Sequence, residues 1–391
     1  MKSRQNQAEA FDPLCIAAEK ILASASGTRV QIKEIKRLTE PGRRNLLLRC
    51  FIDPIKDLPA SFIIKKVEAK NYNPDDADAL DTKRLFNDWV GSQFLNTIST
   101  KHKHSPHFYG GDRNLGFIVI EDVQHQDSLV EPLLGTNRDR AELALLQYAT
   151  CMGQLHRDTL GKAEEFNELY KIVFPQRKPA KVGINIPQHQ SRLEKLGIKL
   201  ESNWLNDLES MHHTVSNPGD FSAYIHTDSC PDNVLNTGKE MRLIDFETGI
   251  FGHVFLDAVF GRMMFPSCWC SKRLPNEVVK RMENTYREIL VQKCPIAEDD
   301  RIFETALVHC CGWWLLCTLS DFLEGTLIID EEFGVSTLRQ RILARLEAFI
   351  ALSQEYGQLS GLRSTSSQLL ELLNQSWADV PELPLYPSFL E

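Results

Sequence analysis

The clearest chemical signature of the chain lies in one short segment, residues 224–247. The segment contains His226, Asp228 and Asn233 in the pattern H-x-D-x4-N, followed by an apolar run that ends at Asp245. Phosphoryl transfer requires a carboxylate beside the attacking hydroxyl and oxygen ligands for Mg²⁺. Carboxylate and amide oxygens are the hard ligands that Mg²⁺ takes beside nucleotide phosphates. These residue types at this spacing therefore indicate phosphoryl-transfer chemistry.

Two local features are expected to bring these residues together. Asp228 and Asn233 lie five positions apart on a predicted loop, so both can face one ligand. A β-hairpin is predicted from Asn233 to Asp245, with Thr237 and Gly238 at its turn, and it returns Asp245 alongside them. The alternative is that these polar residues only cap turns, as Asp and Asn often do.

The part of the chain from Val30 to about Val123 has the pattern of strands. Four segments alternate apolar and polar residues or form short apolar runs bounded by Pro, Gly and Asp: RVQIKEIKRL, NLLLRCFI, ASFIIKKVEA and GFIVIEDV. One helix interrupts them, because Leu85, Trp89 and Phe94 recur at helical spacing.

After Val123 the pattern becomes helical. Apolar residues at helical spacing predict helices over 140–161, Trp204–His213, Pro275–Cys294, Arg301–Leu323 and Leu338–Tyr356. The sequence therefore predicts a two-lobed α+β fold. Residues 1–123 would form a small lobe with an antiparallel sheet and one helix, and residues 124–391 a large, mainly helical lobe.

Two motifs in the 224–247 segment resemble those of a known family. His226-Thr227-Asp228 is similar to the catalytic-loop H-x-D, and 244–247 (IDFE) to the I-D-[FW]-E, of the aminoglycoside phosphotransferase and choline-kinase-like family, which shares the protein-kinase fold. The resemblance covers roughly residues 30–385. It implies that Asp228 is the catalytic base or hydroxyl-orienting residue, that Asn233 and Asp245 hold Mg²⁺, and that His226 supports the loop.

The resemblance also implies an ATP-binding lysine with an acidic partner. Lys65 follows the apolar run Phe62–Ile64 as the kinase lysine follows its strand residues. Lys66 is the competitor, because alternation places only one of the two on the ligand side. Asp88, in the following helix, is the candidate partner, at a position where the family more often has Glu. Asp is one methylene shorter, so this pair must be closer or bridged by water.

The remaining nucleotide contacts implied by the resemblance fall in two backbone segments. Gly42, Arg43 and Asn45 match a degenerate phosphate loop of G-x-R-N type, in which Arg43 and Arg44 add charge near phosphates. A plain hairpin turn with solvated arginines is the alternative. Residues 121–123, from Glu121 to Val123, resemble the hinge strand, whose backbone N–H and C=O groups face adenine.

Asp257 follows the metal aspartate at the start of an apolar helical pattern. In the family, an aspartate here braces the catalytic loop from below. The alternative is a helix N-terminal acid that interacts with the helix dipole. Both interpretations make Asp257 a structural support residue rather than a chemical one.

Composition and cysteine spacing exclude several other classes of protein. A net charge of −9 disfavours a nucleic-acid partner, because phosphate contacts need a surplus of Lys and Arg. Ten cysteines in 391 residues are too sparse for a disulfide scaffold, and Cys230 is interpreted as packing. Cys268 and Cys270 have the wrong spacing for zinc. A polar N-terminus and a longest uncharged stretch of only 305–320 favour a cytoplasmic protein without a membrane segment.

The expected function is phosphorylation of a hydroxyl group on a small-molecule acceptor, with ATP and Mg²⁺ as cofactors. A small acceptor is favoured because no A-P-E motif follows residues 245–247 (DFE). A nucleotide-binding pseudokinase with a regulatory or scaffolding role is the main alternative, and nucleotidyl transfer is a third. The acceptor, ATP against GTP as donor, and the oligomeric state are left open by the sequence.

Overall fold

The computed structural model describes residues 2–56, 58–98, 100–180 and 182–390, with side chains from residue 12 onward. The chain divides into two compact units. Unit 1 comprises Met1–His125, Glu164–Pro179 and Arg242–Gly249. Unit 2 comprises Gln126–Ala163, Ala180–Met241 and Ile250–Glu391.

The secondary structure alternates strands and helices at first and is mainly helical afterwards. The helices are α1 (Lys2–Ser26), α2 (Leu80–Thr97), α3 (Val130–Leu134), α4 (Arg138–Thr159), α5 (Ala163–Val173), α6 (Ile186–Lys195), α7 (Trp204–Ser216), α8 (Phe255–Ala258), α9 (Asn276–Leu290), α10 (Asp300–Ile328), α11 (Leu338–Glu355) and α12 (Ser360–Ser376). The strands are β1 (Ile32–Arg37), β2 (Asn45–Ile52), β3 (Ser61–Val67), β4 (Phe108–Asp112), β5 (Phe117–Glu121), β6 (Asp127–Ser128), β7 (Ser222–Ile225), β8 (Val234–Asn236), β9 (Met241–Leu243), β10 (Ile250–His253), β11 (Glu332–Phe333) and β12 (Ser336–Thr337).

Unit 1 contains a five-stranded antiparallel sheet in the order β1-β2-β3-β5-β4. The burial pattern of β2 explains why this segment forms a strand. Every second side chain, from Leu46 to Ile52, is buried, and the others are partly exposed. In the register of the sheet, Lys65 lies opposite Leu47 on β2 and Ile118 on β5. Because β3 is paired on both sides, Lys65 and Lys66 point to opposite faces of the sheet.

One face of this sheet is covered by α1, which the sequence pattern did not predict. Leu14, Ala18 and Leu22 recur every four residues and are buried in one cluster with Leu48 and Val119 of the sheet. This spacing is the signal of a helix that buries one stripe. Strand β4 was also missed, because its sequence, FYGGD, has two glycines and no apolar alternation.

Unit 2 is built largely of helices, with three pairs of short antiparallel strands: β7 with β10, β6 with β8, and β11 with β12. The predicted α+β class is confirmed, with an antiparallel sheet near the N-terminus and a mainly helical remainder. Among the described residues, α10 is the one helix long and apolar enough to cross a membrane, and 67% of its apolar window is buried within the structure. A helix in the core of a folded domain is buried in the same way.

Candidate active-site residues

Lys65 and Asp88 form an ion pair inside unit 1. Nζ of Lys65 on β3 lies 2.6 Å from Oδ2 of Asp88 on α2, and it also donates to a carboxylate oxygen of Asp245. The side chains of Lys65 and Asp88 are 13% and 4% exposed, respectively. One buried ammonium therefore bridges two carboxylates from separate parts of the chain.

The charge of Lys65 is preserved by its surroundings. Burial alone would lower its pKa, but the negative charges of Asp245, Asp88 and Glu247 outweigh burial and hold the pKa above its ordinary value. Lys66 points elsewhere, since its Nζ donates to the carbonyl of Val67 at 2.8 Å, and burial lowers its pKa. The structure thus brings Lys65, and not Lys66, to Asp88 and Asp245.

Asp88 also holds the backbone beyond Asp245. Its Oδ1 accepts the N–H of Phe246 at 3.0 Å, so both oxygens of this carboxylate are used. Asp245 itself adopts φ +68°, a left-handed conformation that Asp tolerates better than most residues. Its side chain remains 30% exposed. The segment around Asp245 is therefore held from α2, while the Asp245 carboxylate stays accessible.

Glu247 is a member of this cluster to which sequence reasoning gave no role. The guanidinium of Arg44 lies 2.5 and 2.6 Å from its two carboxylate oxygens, and Arg84 of α2 lies 3.8 Å away. Burial and the charge of Asp245 raise the pKa of Glu247, while Lys65 and Arg44 act in the opposite direction. The only indication of a role for Glu247 in the sequence is its position in the IDFE motif at 244–247.

The predicted phosphate loop lies between β1 and β2. Gly42 has φ +86°, with no atom within 4 Å of the position a Cβ would take, and Arg43 is exposed. Asn45 begins β2 and pairs with Val67. Arg44, which the sequence left between phosphate binding and solvent, contacts Glu247 instead.

The predicted hinge residues lie at the end of β5. The N–H of Glu121 donates to the carbonyl of His107 at 2.7 Å, which removes it from the predicted donors for adenine because an N–H bonds one strong acceptor at a time. The Glu121 carboxylate accepts two bonds from Arg242 at 3.1 Å and one from the N–H of His107 at 2.9 Å. Val123 is buried just beyond the strand.

In unit 2, the loop that carries Asp228 is held by a buried aspartate. Asp257 of α8 is fully buried and accepts the backbone N–H of His226 at 2.6 Å and that of Thr227 at 2.8 Å. Nε2 of His156 lies 3.2 Å from the same carboxylate. Asp257 thus fixes two consecutive peptide groups directly before Asp228.

The bonds to Asp257 hold an unfavourable backbone conformation. Thr227 has φ +60°, which costs a β-branched residue about 1–3 kcal/mol and persists only where the surroundings impose it. The N–H of Asp228 faces Nδ1 of His226 at 3.3 Å, and Nδ2 of Asn233 donates to the carbonyl of Asp228 at 3.0 Å. The structure therefore brings His226, Asp228, Asn233 and Asp257 together.

A second segment, 263–269, contacts this loop and was missed from the sequence. Oγ of Ser267 donates to Oδ1 of Asp228 at 2.6 Å, and Cys230 forms a disulfide with Cys268. The interpretation of Cys230 as a packing residue is therefore wrong. Its disulfide partner lies 38 positions away, so no local sequence pattern indicates the pair. The sequence offered two cysteines among ten but no means of pairing them.

The residues predicted to hold Mg²⁺ have suitable chemistry. Because Nδ2 of Asn233 bonds to the Asp228 carbonyl, the oxygen of the Asn233 amide is the atom a hard cation would take. Asp245 supplies a carboxylate. Within the described ranges no cluster of three or more His, Cys, Asp or Glu could hold a metal. Each of these oxygens is a hard donor of the kind that Mg²⁺ takes beside water and phosphate ligands.

The comparisons with known proteins give structural matches only. Solved structures that the chain resembles include choline-kinase-like proteins and aminoglycoside phosphotransferases. A choline/ethanolamine kinase family protein from Mesorhizobium loti is 14% identical over 85% of this chain and 92% of that one, with a TM-score of 0.47. Choline kinase from Cryptosporidium parvum is 14% identical over 88% and 93%, with a TM-score of 0.46.

An ADP-bound aminoglycoside phosphotransferase, APH(2'')-Ib, is 14% identical over 90% of this chain and 98% of that one, with a TM-score of 0.45. No protein-family model and no curated protein sequence matches the chain. Likeness at this level does not identify a substrate, because one fold hosts many activities.

Proposed function

We propose that the chain is an ATP- and Mg²⁺-dependent phosphotransferase that phosphorylates a hydroxyl group of a small molecule. The observation that supports this most is the buried ammonium of Lys65 between the carboxylates of Asp88 and Asp245. A lysine on a strand, oriented by an acid on the next helix, is the device by which kinases hold nucleotide phosphates. A purely structural ion pair needs only one carboxylate.

In this proposal Lys65 binds the phosphates of ATP, and Asp88 orients its ammonium. Asp245 and Asn233 would hold Mg²⁺, which would neutralise negative charge on the phosphates. Residues 42–45, with the Gly42 turn, cover the phosphates, and the backbone near Val123 receives the adenine edge. Arg43 is the exposed charge left on that turn.

Asp228 orients the acceptor hydroxyl and takes its proton at a carboxylate oxygen as the oxygen attacks phosphorus. His226 and Asp257 act through the loop, since the Asp257 carboxylate fixes the peptide groups of residues 226 and 227. A rigid loop matters because positioning supplies most of the rate in phosphoryl transfer. Asp228 is therefore the catalytic residue, and Asp257 a positioning residue.

A small acceptor fits the local structure of the chain. Strand β10 begins at Ile250, five residues after Asp245, which leaves no long segment of the kind that protein kinases use to bind a peptide.

The test is ADP formation from Mg·ATP with a library of small molecules that carry hydroxyl groups. Asp228→Asn should lower turnover by about 10²–10⁴-fold while Mg·ATP still binds, since general-base assistance has that magnitude. Asp220→Asn, an exposed aspartate of the same unit, is the control and should retain turnover. Mg·ATP binding without turnover of any acceptor would favour the pseudokinase alternative, and equal turnover by Asp228→Asn would contradict the proposed role.

A further inference from the structure

The segment 263–269, which we call the strap, contacts the loop around Asp228 through three consecutive residues. All of these contacts lie within unit 2 and join side chains of the two segments. They are Ser267 with Asp228 at 2.6 Å, Cys268 with Cys230 through the disulfide, and Trp269 with Asp232 at 2.9 Å. Residues 267, 268 and 269 thus contact residues 228, 230 and 232 in order, with the disulfide in the middle.

Helix α11 fixes the strap through two buried arginines. Arg345 is fully buried and donates to the carbonyls of Met263 and Pro266, at 3.2 and 2.9 Å. Arg341 is 1% exposed and donates to the carbonyls of Cys268 and Trp269. A guanidinium has several donors in a fixed plane, so each arginine holds the strap backbone at two points. The disulfide therefore ties the Asp228 loop to a rigid support.

The sulfur of Cys230 lies directly beside the candidate catalytic group. Its Sγ is 3.0 Å from Oδ1 of Asp228, the same oxygen that accepts the Ser267 hydroxyl. A thiol at this position carries a hydrogen that can be donated to the carboxylate, whereas a disulfide sulfur carries none. The oxidation state of Cys230 thus changes the hydrogen bonding of Asp228 as well as the freedom of its loop.

The disulfide joins only two of the ten cysteines. The other eight cysteines are free thiols, and they include Cys270, two residues beyond Cys268. Cys268 itself is buried, but it lies between the exposed Ser267 and Trp269, so the bond is just below the surface. In a reducing compartment, disulfides are rare, and those that form usually act as redox sensors.

We propose that Cys230 and Cys268 are a reversible redox-modification site that controls the Asp228 loop, an inference that rests on the proposed function. Oxidation joins the two sulfurs and removes two protons and two electrons, which hydrogen peroxide takes up to become two molecules of water. A dithiol reverses the step, because it supplies two electrons and two protons and becomes a disulfide itself. The oxidised form is the slow form, because the cross-link holds the Ser267 hydroxyl and the Cys230 sulfur against Oδ1 of Asp228, where the acceptor hydroxyl must bind.

The first test uses the whole chain treated with hydrogen peroxide and then with or without dithiothreitol. Differential alkylation and mass spectrometry should find Cys230 and Cys268 linked after peroxide and both alkylated after dithiothreitol. Amide hydrogen exchange over 226–233 should rise by roughly tenfold or more on reduction, because a cross-link restricts local opening. Cys268→Ser should show the faster exchange under both conditions, and Cys270→Ala, the matched control, should behave as the wild type.

The second readout is hydrolysis of Mg·ATP with water as acceptor. Dithiothreitol should raise the rate by about tenfold in the wild type and in Cys270→Ala, the factor that corresponds to loss of one hydrogen bond, from Ser267 to Asp228, when the loop is released. It should leave Cys268→Ser unchanged. Two alkylated thiols after peroxide, or equal exchange over 226–233 in both states, would overturn the inference. If Mg·ATP neither binds nor is hydrolysed in either state, the proposed function fails, and alkylation and exchange of the wild type still decide the redox site.

Discussion

Nζ of Lys65 lies 2.6 Å from Oδ2 of Asp88, so the lysine of β3 contacts the aspartate of α2 directly. An aspartate reaches one methylene less far than the glutamate found more often in the resembling family, yet no bridging group is needed. The other oxygen of Asp88 accepts the N–H of Phe246. One buried carboxylate therefore orients a lysine and fixes the backbone beside Asp245.

Asp88→Asn should weaken both of these contacts. An amide has one acceptor oxygen, so its NH2 group would face either Lys65 or the N–H of Phe246, and Lys65 would keep only Asp245 and Glu247 as negative neighbours. We expect the free energy of unfolding to fall by about 3–5 kcal/mol, since removal of one partner from a buried ion pair costs that much. Urea unfolding measures the change. Asp81→Asn, in the first turn of the same helix, should cost only about 0.3–1 kcal/mol, and equal losses in the two variants would contradict the assignment.

The contact of Arg44 with Glu247 can be measured by a double-mutant cycle. Glu247 is mostly buried, but the Arg44 side chain is 36% exposed, so solvent weakens the pair. We expect a coupling free energy of about 1–2 kcal/mol between Arg44→Ala and Glu247→Ala in urea unfolding. The neighbouring exposed Arg43→Ala should show coupling near zero with Glu247→Ala. Similar coupling for both arginines would show that general charge, rather than this contact, is responsible.

Asp257→Asn should release the backbone before Asp228. An amide supplies one acceptor oxygen where the carboxylate supplies two, so one of the buried N–H groups of His226 and Thr227 loses its partner. The free energy of unfolding should fall by about 2–4 kcal/mol. Hydrogen exchange at these two amides should rise more than at the remaining amides of unit 2. Protection of both amides equal to that of the wild type would refute the bracing role.

The pH dependence of stability should include a contribution from His309. Burial lowers the pKa of His309 to about 4, below the value of about 6.5 that it has in the unfolded chain. The unfolded state therefore binds the proton first as the pH falls, and stability is lost from about pH 6.5 towards pH 4, by up to about 1.4 kcal/mol per pH unit. His309→Gln should flatten the urea-derived stability profile between pH 7 and 5. A profile of this variant as steep as that of the wild type over the same pH range would contradict the contribution.

Several elements could be predicted because their patterns are local. Residues 45–52 form a short, mainly apolar run in the sequence, and β2 occupies those residues. Helix α11 begins and ends within one residue of the apolar periodicity over Leu338–Tyr356. Alternation also predicts that Lys65 and Lys66 point to opposite sides of β3, but it does not say which side carries the carboxylates. That choice depends on α2, whose packing is a tertiary property.

The strap could not be predicted, because it depends on contacts distant in sequence. Cys230 and Cys268 are separated by 38 positions, and ten cysteines allow many pairings. Ser267 follows a proline in an apolar stretch and has no motif of its own. The sequence indicated the chemistry of the loop, while the groups that surround Asp228 depend on the packing of α11.

The measurement that tests the central claim most directly compares Lys65→Met with Lys66→Met by thermal unfolding, with Mg·ATP, ATP alone and Mg²⁺ alone. The two lysines are adjacent on one strand, but only Lys65 contacts Asp88 and Asp245. In the wild type and in Lys66→Met, Mg·ATP at about a hundred times its Kd should stabilise the folded state by about 2.7 kcal/mol and raise the Tm. Lys65→Met should lose this rise relative to its own ligand-free Tm. An equal rise in both variants, or no rise in the wild type at millimolar Mg·ATP, would contradict the account.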